Sequence, residues 1–189
     1  MNLNNGPYAI VAFFALFHVL SLPVSAAQTS DDIYISDNEL QRVSVKWIEP
    51  KSFTDVKERN FSNAKYRKHV FSQLEKHLDK LAKDLPQGQF LSLTVTDVDL
   101  AGSFVPASFI GLSTSMDNVR IMRNVDIPRL EFTYQLIDAS GKILGSEEVN
   151  LKNMNYLHGV GISGRNQPFA YEKEMLSKWF TKSIIDDNA

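Results

Sequence analysis

In "RVSVKWI" the apolar Val43, Val45 and Trp47 alternate with the polar Arg42, Ser44 and Lys46. That period of two predicts a strand with one buried and one wet face. From about Ser62 to Leu85 the spacing changes. Tyr66, Val70, Phe71, Leu74, Leu78, Leu81, Ala82 and Leu85 follow steps of four, three and one and draw a single stripe on a helix. Lys65, Arg67, Lys68, Lys76, Lys80 and Lys83 cover its solvated faces, and Pro86 and Gly88 are stop signals. Alternation returns in "QFLSLTVTDVDLAG", where Leu91, Leu93 and Val95 oppose Ser92, Thr94 and Thr96. It returns again in "RLEFTYQLID", where Leu130, Phe132, Tyr134 and Leu136 oppose Arg129, Glu131, Thr133 and Gln135. Asp138 to Gly141 supply a hairpin turn, and "KILGSEEVNL" is the returning strand. "VRIMR", Val119 to Arg123, predicts a short extra strand for a sheet edge. Phe169, Met175, Leu176, Trp179 and Phe180 predict a closing helix with Pro168 in its first turn.

Strands with one apolar and one polar face suit a sheet covered on one side only. The expected fold is α+β: a two-layer sandwich with a mixed or antiparallel sheet of four to five strands and two main helices on one face, in the order β-α-β-(β)-β-β-α. No internal repeat interrupts it.

The N-terminus carries a different pattern. The first 26 residues contain no Lys, Arg, Asp or Glu, and Ala9 to Leu20 are apolar apart from His18. Pro23 ends the run, and Val24-Ser25-Ala26 places small residues where a signal peptidase cuts. The run is shorter than the roughly 20 residues of a membrane span. A Sec-type signal peptide over 1–26 is therefore expected, cut after Ala26 or Ala27, with an N-terminal membrane anchor as the alternative. Behind it come a flexible leader (27–41), one domain (42–183) and a frayed tail (184–189). The expected location is the periplasm, with no stable membrane insertion after cleavage.

Charge and composition then exclude chemistry. A net charge of −2 gives no basic surface for nucleic acid. The absence of Cys excludes a thiolate nucleophile, a disulfide framework, a lipoprotein anchor and a Cys-type zinc site.

The segments "VTDVDLAG" (Val95 to Gly102), "VRIMR" followed by "PRLEFTYQL", "NMNYL" (Asn153 to Leu157) and "YEKEMLSKWF" (Tyr171 to Phe180) stand in a recognisable order. Over about Val43 to Phe180 the chain resembles an exported bacterial family catalogued as domain of unknown function 3016. The resemblance implies a bacterial, Gram-negative periplasmic protein and brings no activity or catalytic residues with it.

Among candidate sites, Asp97 and Asp99 stand two apart at the end of the second main strand. Alternation places both on the apolar, helix-facing side with Leu93 and Val95. They could bind a hard cation or act as acid and base. The structural reading, favoured because buried acids are usually paired, is that they cap the next turn or pair with Arg120, Arg123 or Arg129. Arg120, Arg123, Arg129 and Arg165 could converge on an anion if the fold brings them together, or pair with Asp97, Asp99, Asp126 or Glu131. The long segment Leu100 to Asn118 carries Phe104, Phe109 and Ile110 and reads as a flap over one end of the core, with a lid or a partner surface as alternatives.

"HGVGISGRN" spaces Gly159, Gly161 and Gly164 as G-x-G-x-x-G. A dinucleotide loop follows the first strand of a βαβ unit, and an acid comes about 20 residues on, at the end of the next strand. Here the loop follows the last strand, and Asp186 and Asp187 fall in the tail. It reads as a connector whose chemistry, if any, lies in Tyr156, His158 and Arg165. His69 and His77 are eight apart, too far for an i,i+4 metal pair, and read as surface residues. No G-x-S-x-G occurs. No catalytic set, metal site or cofactor is expected.

The expected function is a non-enzymatic envelope module that binds a protein through its polar sheet face or its apolar loop. The alternatives are a small-ligand or cation-binding protein built on Asp97, Asp99 and the arginines, and last a periplasmic hydrolase.

Overall fold

The computed structural model describes residues 33–35, 38, 40–56, 63–112, 118–159 and 166–186. The expected signal peptide, most of the glycine loop and Arg165 lie outside them.

The alternating segments enter one mixed sheet. β2 (Val43–Ile48) and β3 (Phe90–Asp99) run parallel, connected through helix α1 (Asn63–Leu81) and a 3-10 turn at Ala82–Asp84. β6 (Arg129–Ile137) and β7 (Ile143–Lys152) form an antiparallel hairpin, with β6 against β3. β1 (Ile33–Ile35) lies antiparallel to β2, so the order is β1-β2-β3-β6-β7. The chain closes with a helical turn α2 (Tyr156–Gly159), helix α3 (Ala170–Trp179) and a π-helical extension Phe180–Ile185.

Both main helices cover one face. Inward residues Val45, Trp47, Leu93, Val95, Phe132 and Leu136 share one buried core with Phe71, Leu74 and Leu78 of α1 and Leu176, Trp179 and Phe180 of the C-terminal helix. Trp47 stacks on Phe71 at 3.9 Å, and Trp179 meets Phe132 edge-on at 4.8 Å. The opposite face exposes Ser44, Lys46, Thr96, Thr133 and Gln135. The expected α+β sandwich is the observed one.

Three elements differ. β1 arises within the segment expected as a flexible leader, because Tyr34 packs its ring against Phe71 at 5.5 Å. Ile184, expected in the frayed tail, is buried in the core. The strand around Val119 does not join the sheet edge. As β5 (Asn118–Ile121) it pairs antiparallel with β4 (Ser103–Pro106) in a separate two-stranded sheet. The strands of the main sheet already occupy both sides of β3, so the chain leaving it at Gly102 pairs elsewhere.

Candidate ligand-binding cleft

Gly102 sets the local geometry. It has a left-handed backbone (φ 75°), and a Cβ there would meet the Ile121 carbonyl oxygen at 2.5 Å and Met122 Sδ at 2.7 Å. Glycine alone lets the chain turn here with β5 so close. That approach carries Arg120 over the end of β3. Its Nη1 donates to Asp55 Oδ2 at 2.8 Å and to the Ala101 and Gly102 carbonyls, each at 3.0 Å. Nη2 lies 3.4 Å from Tyr66 Oη, and the Phe104 ring faces the guanidinium at 4.3 Å, a cation–π contact. The buried Nε–H has no hydrogen-bond partner among the described residues.

Glu172, in the first turn of α3, forms the opposite wall. It is 1% exposed, and its Oε1 accepts the Ala101 N–H at 2.7 Å. Burial pushes its carboxyl above the usual range, against the pull of two backbone N–H groups and the Arg120 charge. α3 starts from Phe169, held at φ 56° and ψ 39°, a region bulky residues rarely occupy. Its ring packs against those of Tyr66 and His69. Between these groups lies a cleft of about 290 Å³, lined by Tyr66, Phe104, Arg120, Met122, Phe169 and Glu172 among others. Apolar walls with a few convergent polar groups are the usual make-up of a ligand site, whose volumes start near about 300 Å³. A buried acid with a shifted pKa and a strained backbone also mark functional sites.

The carboxylates the sequence singles out point elsewhere. A β-bulge between Val95 and Asp97 sets Thr96 and Asp97 opposite the single residue Glu131. The extra residue reverses the alternation: Val98 turns into the core at 0% exposure, and Asp97 and Asp99 leave the helix-facing side. Asp97 accepts the Thr54 N–H at 2.7 Å and the Thr54 hydroxyl at 2.8 Å. Asp99 pairs with Arg129 at 2.9 Å. Burial raises the Asp99 pKa, with Arg129 opposing and Asp55 and Asp97 adding to the rise. No group of three or more His, Asp or Glu placed to hold a metal occurs among the described residues.

Among the described residues the arginines do not converge. Arg123 is exposed and pairs with Asp126 at 2.6 Å, Arg129 takes Asp99, and Arg120 takes Asp55, a partner the sequence did not suggest. Tyr156 is a buried anchor whose hydroxyl donates to the Arg123 carbonyl at 2.8 Å, with its ring edge-on to Tyr171. His158 is exposed. Phe104 joins the cleft wall, whereas Phe109 is 81% and Ile110 42% exposed, so that turn does not close the core as a flap.

His77, expected on the surface, is instead half-buried between α1 and α3, with Nε2 2.8 Å from Ser177 Oγ. Burial lowers its pKa, and the Lys173 and Lys80 charges add to the fall. Ser177 also donates to the Lys173 carbonyl, and neither residue lines the cleft, so the pair reads as a helix–helix contact. A larger groove of about 510 Å³ follows β7 against α3, lined by Glu147, Lys178, Trp179 and Lys182 among others. Its charges sit on flexible, solvated stems, so size alone does not make it the better candidate. Glu172 had a readable signal: with Met175, Leu176 and Trp179 it completes an i, i+3, i+4, i+7 stripe.

Residues 41–182 match the model of a family described as Protein of unknown function (DUF3016). The chain belongs to the DUF3016 family. No curated protein and no solved structure matches it. The matched span runs from before β2 into the π-helical extension, so every residue lining the cleft lies within the DUF3016 domain.

Proposed function

We propose that this DUF3016 protein is an exported, non-enzymatic binding module of the bacterial cell envelope, and that it holds a small ligand in the cleft between the β4–β5 sheet and the start of α3. Export rests on the signal-like segment 1–26, and the periplasm on the resemblance to exported relatives. The observation that carries the ligand reading is the Arg120 guanidinium, fixed on one edge by Asp55 and two carbonyls and left without an acceptor at its buried Nε, on a side chain that lines a largely apolar cleft. Asp97 and Asp99 have no part in it, since each is held by its own partner.

The test is a melting curve of the purified chain against small aromatic and branched aliphatic compounds, neutral, cationic and anionic. A ligand at about 100 times its Kd adds about 2.7 kcal/mol, or roughly 5–10 °C at this size. Ala170→Phe, which adds a ring to the cleft lining, should abolish the shift. No shift with any compound overturns the reading.

A second reading, capture of an envelope protein, is favoured by the exposed apolar turn of Phe109, Ile110 and Leu112. Phe109→Asp should leave the melting temperature within about 2 °C, as surface substitutions do, and abolish capture of that protein. Undiminished capture would remove this second reading.

A further inference from the structure

The geometry points to a carboxylate as the ligand's anchoring group: the cleft takes a small monocarboxylic acid with an apolar body, held in a side-on fork by Nε and Nη2 of Arg120. This rests on the cleft being a ligand site. A guanidinium presents five N–H groups, two of which, on Nε and one terminal nitrogen, lie parallel along one edge. Here Nη1 is saturated by Asp55 Oδ2 and the Ala101 and Gly102 carbonyls. That leaves the other edge, where Nη2 has a long contact to Tyr66 Oη and Nε–H has no acceptor. A bidentate oxygen pair of carboxylate spacing fits that edge.

The plane of the fork is fixed before any ligand arrives. The Phe104 ring holds one guanidinium face, and Tyr66 meets Phe104 edge-on at 6.0 Å. An immobilised donor loses less entropy on binding than a mobile surface arginine. Nε is shielded from solvent, so the acid must displace part of the wall. Met122 lines the cleft, is 40% exposed and has the unbranched stem that adapts most easily.

Charge selects among acids. Asp55 already neutralises Arg120, and Glu172 lies 1% exposed in the opposite wall. A phosphate dianion would meet both carboxylates with twice the repulsion of a single carboxylate. A neutral amide could accept at Nε but cannot supply two equivalent oxygens. The rest of the lining, with Leu100, Phe104, Pro168 and Phe169, takes the apolar body, and the cleft of about 290 Å³ limits it to one ring or a short branched chain.

The experiment measures binding of benzoate and 3-phenylpropionate to the full mature chain, beside benzamide, benzylamine and phenyl phosphate. The readouts are the melting temperature and the Arg120 Nε–H resonance. The two acids should bind at least about tenfold tighter than the amide and move that resonance, since a charge-assisted fork exceeds a neutral hydrogen bond by that margin. Arg120→Lys keeps the charge and loses the fork, so it should lose the preference for acids. Where Arg120→Lys does not fold, the acid–amide comparison on the unaltered chain decides. Equal binding of amide or amine at the cleft, or phenyl phosphate bound as tightly as benzoate, overturns the carboxylate assignment and leaves the ligand site standing. Acids that bind without moving the Nε–H resonance, or bind Arg120→Lys equally well, overturn the fork. No binding of any probe overturns both readings together.

Discussion

Among the described residues two glutamates are almost fully buried, Glu75 on α1 at 0% and Glu172 on α3 at 1% exposure. Each sits on its helix's apolar stripe, and each accepts hydrogen bonds from a neighbouring element. What surrounds them differs. Glu75 takes the Trp47 indole N–H at 2.8 Å and the Asn38 side-chain amide. It lies one helical turn beyond Phe71, whose ring stacks on Trp47, among the buried core residues. Glu172 takes backbone N–H groups, stands opposite a guanidinium that another acid already neutralises, and lines a cleft. A buried acid enclosed by side-chain donors and packed rings serves the fold. A buried acid at the wall of a cavity keeps a polar group where a ligand can meet it. Burial is shared, so the neighbours decide which role each one has.

Truncating the two should separate them most clearly. Glu75→Ala leaves the Trp47 indole N–H buried without an acceptor, about 1–3 kcal/mol, and opens a gap within the core. A loss of about 3 kcal/mol is expected, roughly 6–12 °C in melting temperature. Glu172→Ala opens onto the cleft, where water can reach the freed Ala101 N–H, so its loss should be clearly smaller. Thermal or urea unfolding of both variants measures the difference. Equal losses would show that the cleft is closed to water and that the contrast is empty.

How much of this contrast was legible beforehand follows from the kind of signal each part emits. The core faces of β2, β3 and β6 and the stripe of α1 were readable, because apolar period reports which side is buried. That reasoning failed at Asp97. A single extra residue reverses every side chain beyond it, and nothing in "TVTDVD" announces the bulge, which exists only against Glu131 on β6. The paired Asp97 and Asp99 were conspicuous as a motif and proved to be bound up with Thr54 and Arg129. Glu172 was inconspicuous, since one acid among "YEKEM" looks like solvent-facing charge. The readable clue was positional: Glu75 completes Phe71, Leu74 and Leu78 as Glu172 completes Met175, Leu176 and Trp179. The Asp55–Arg120 pair had no local signal at all, because its partners are 65 residues apart and meet through Gly102 and β5.

The smallest expected effect sharpens the comparison most, because it reads charge rather than volume. Burial raises the Glu172 pKa above its unfolded value of about 4.5, so the folded chain holds this proton more tightly than the unfolded one. By linkage, the fold's preference is fully present below the unfolded pKa and is lost as pH rises through the folded pKa. Glu172→Gln cannot titrate, yet its amide oxygen can still accept the Ala101 N–H. The stability of the Gln form relative to the Glu form should therefore rise between pH 4 and pH 8. The sign of the difference at any one pH depends on how the amide NH₂ is accommodated, but the slope does not. His77, whose lowered pKa favours the fold as pH rises, titrates identically in both forms and cancels. Unfolding curves of the pair across that range read the slope directly. A flat difference would mean that Glu172 is as well compensated as a carboxylate in water, and the distinction between the two buried acids would rest on packing alone.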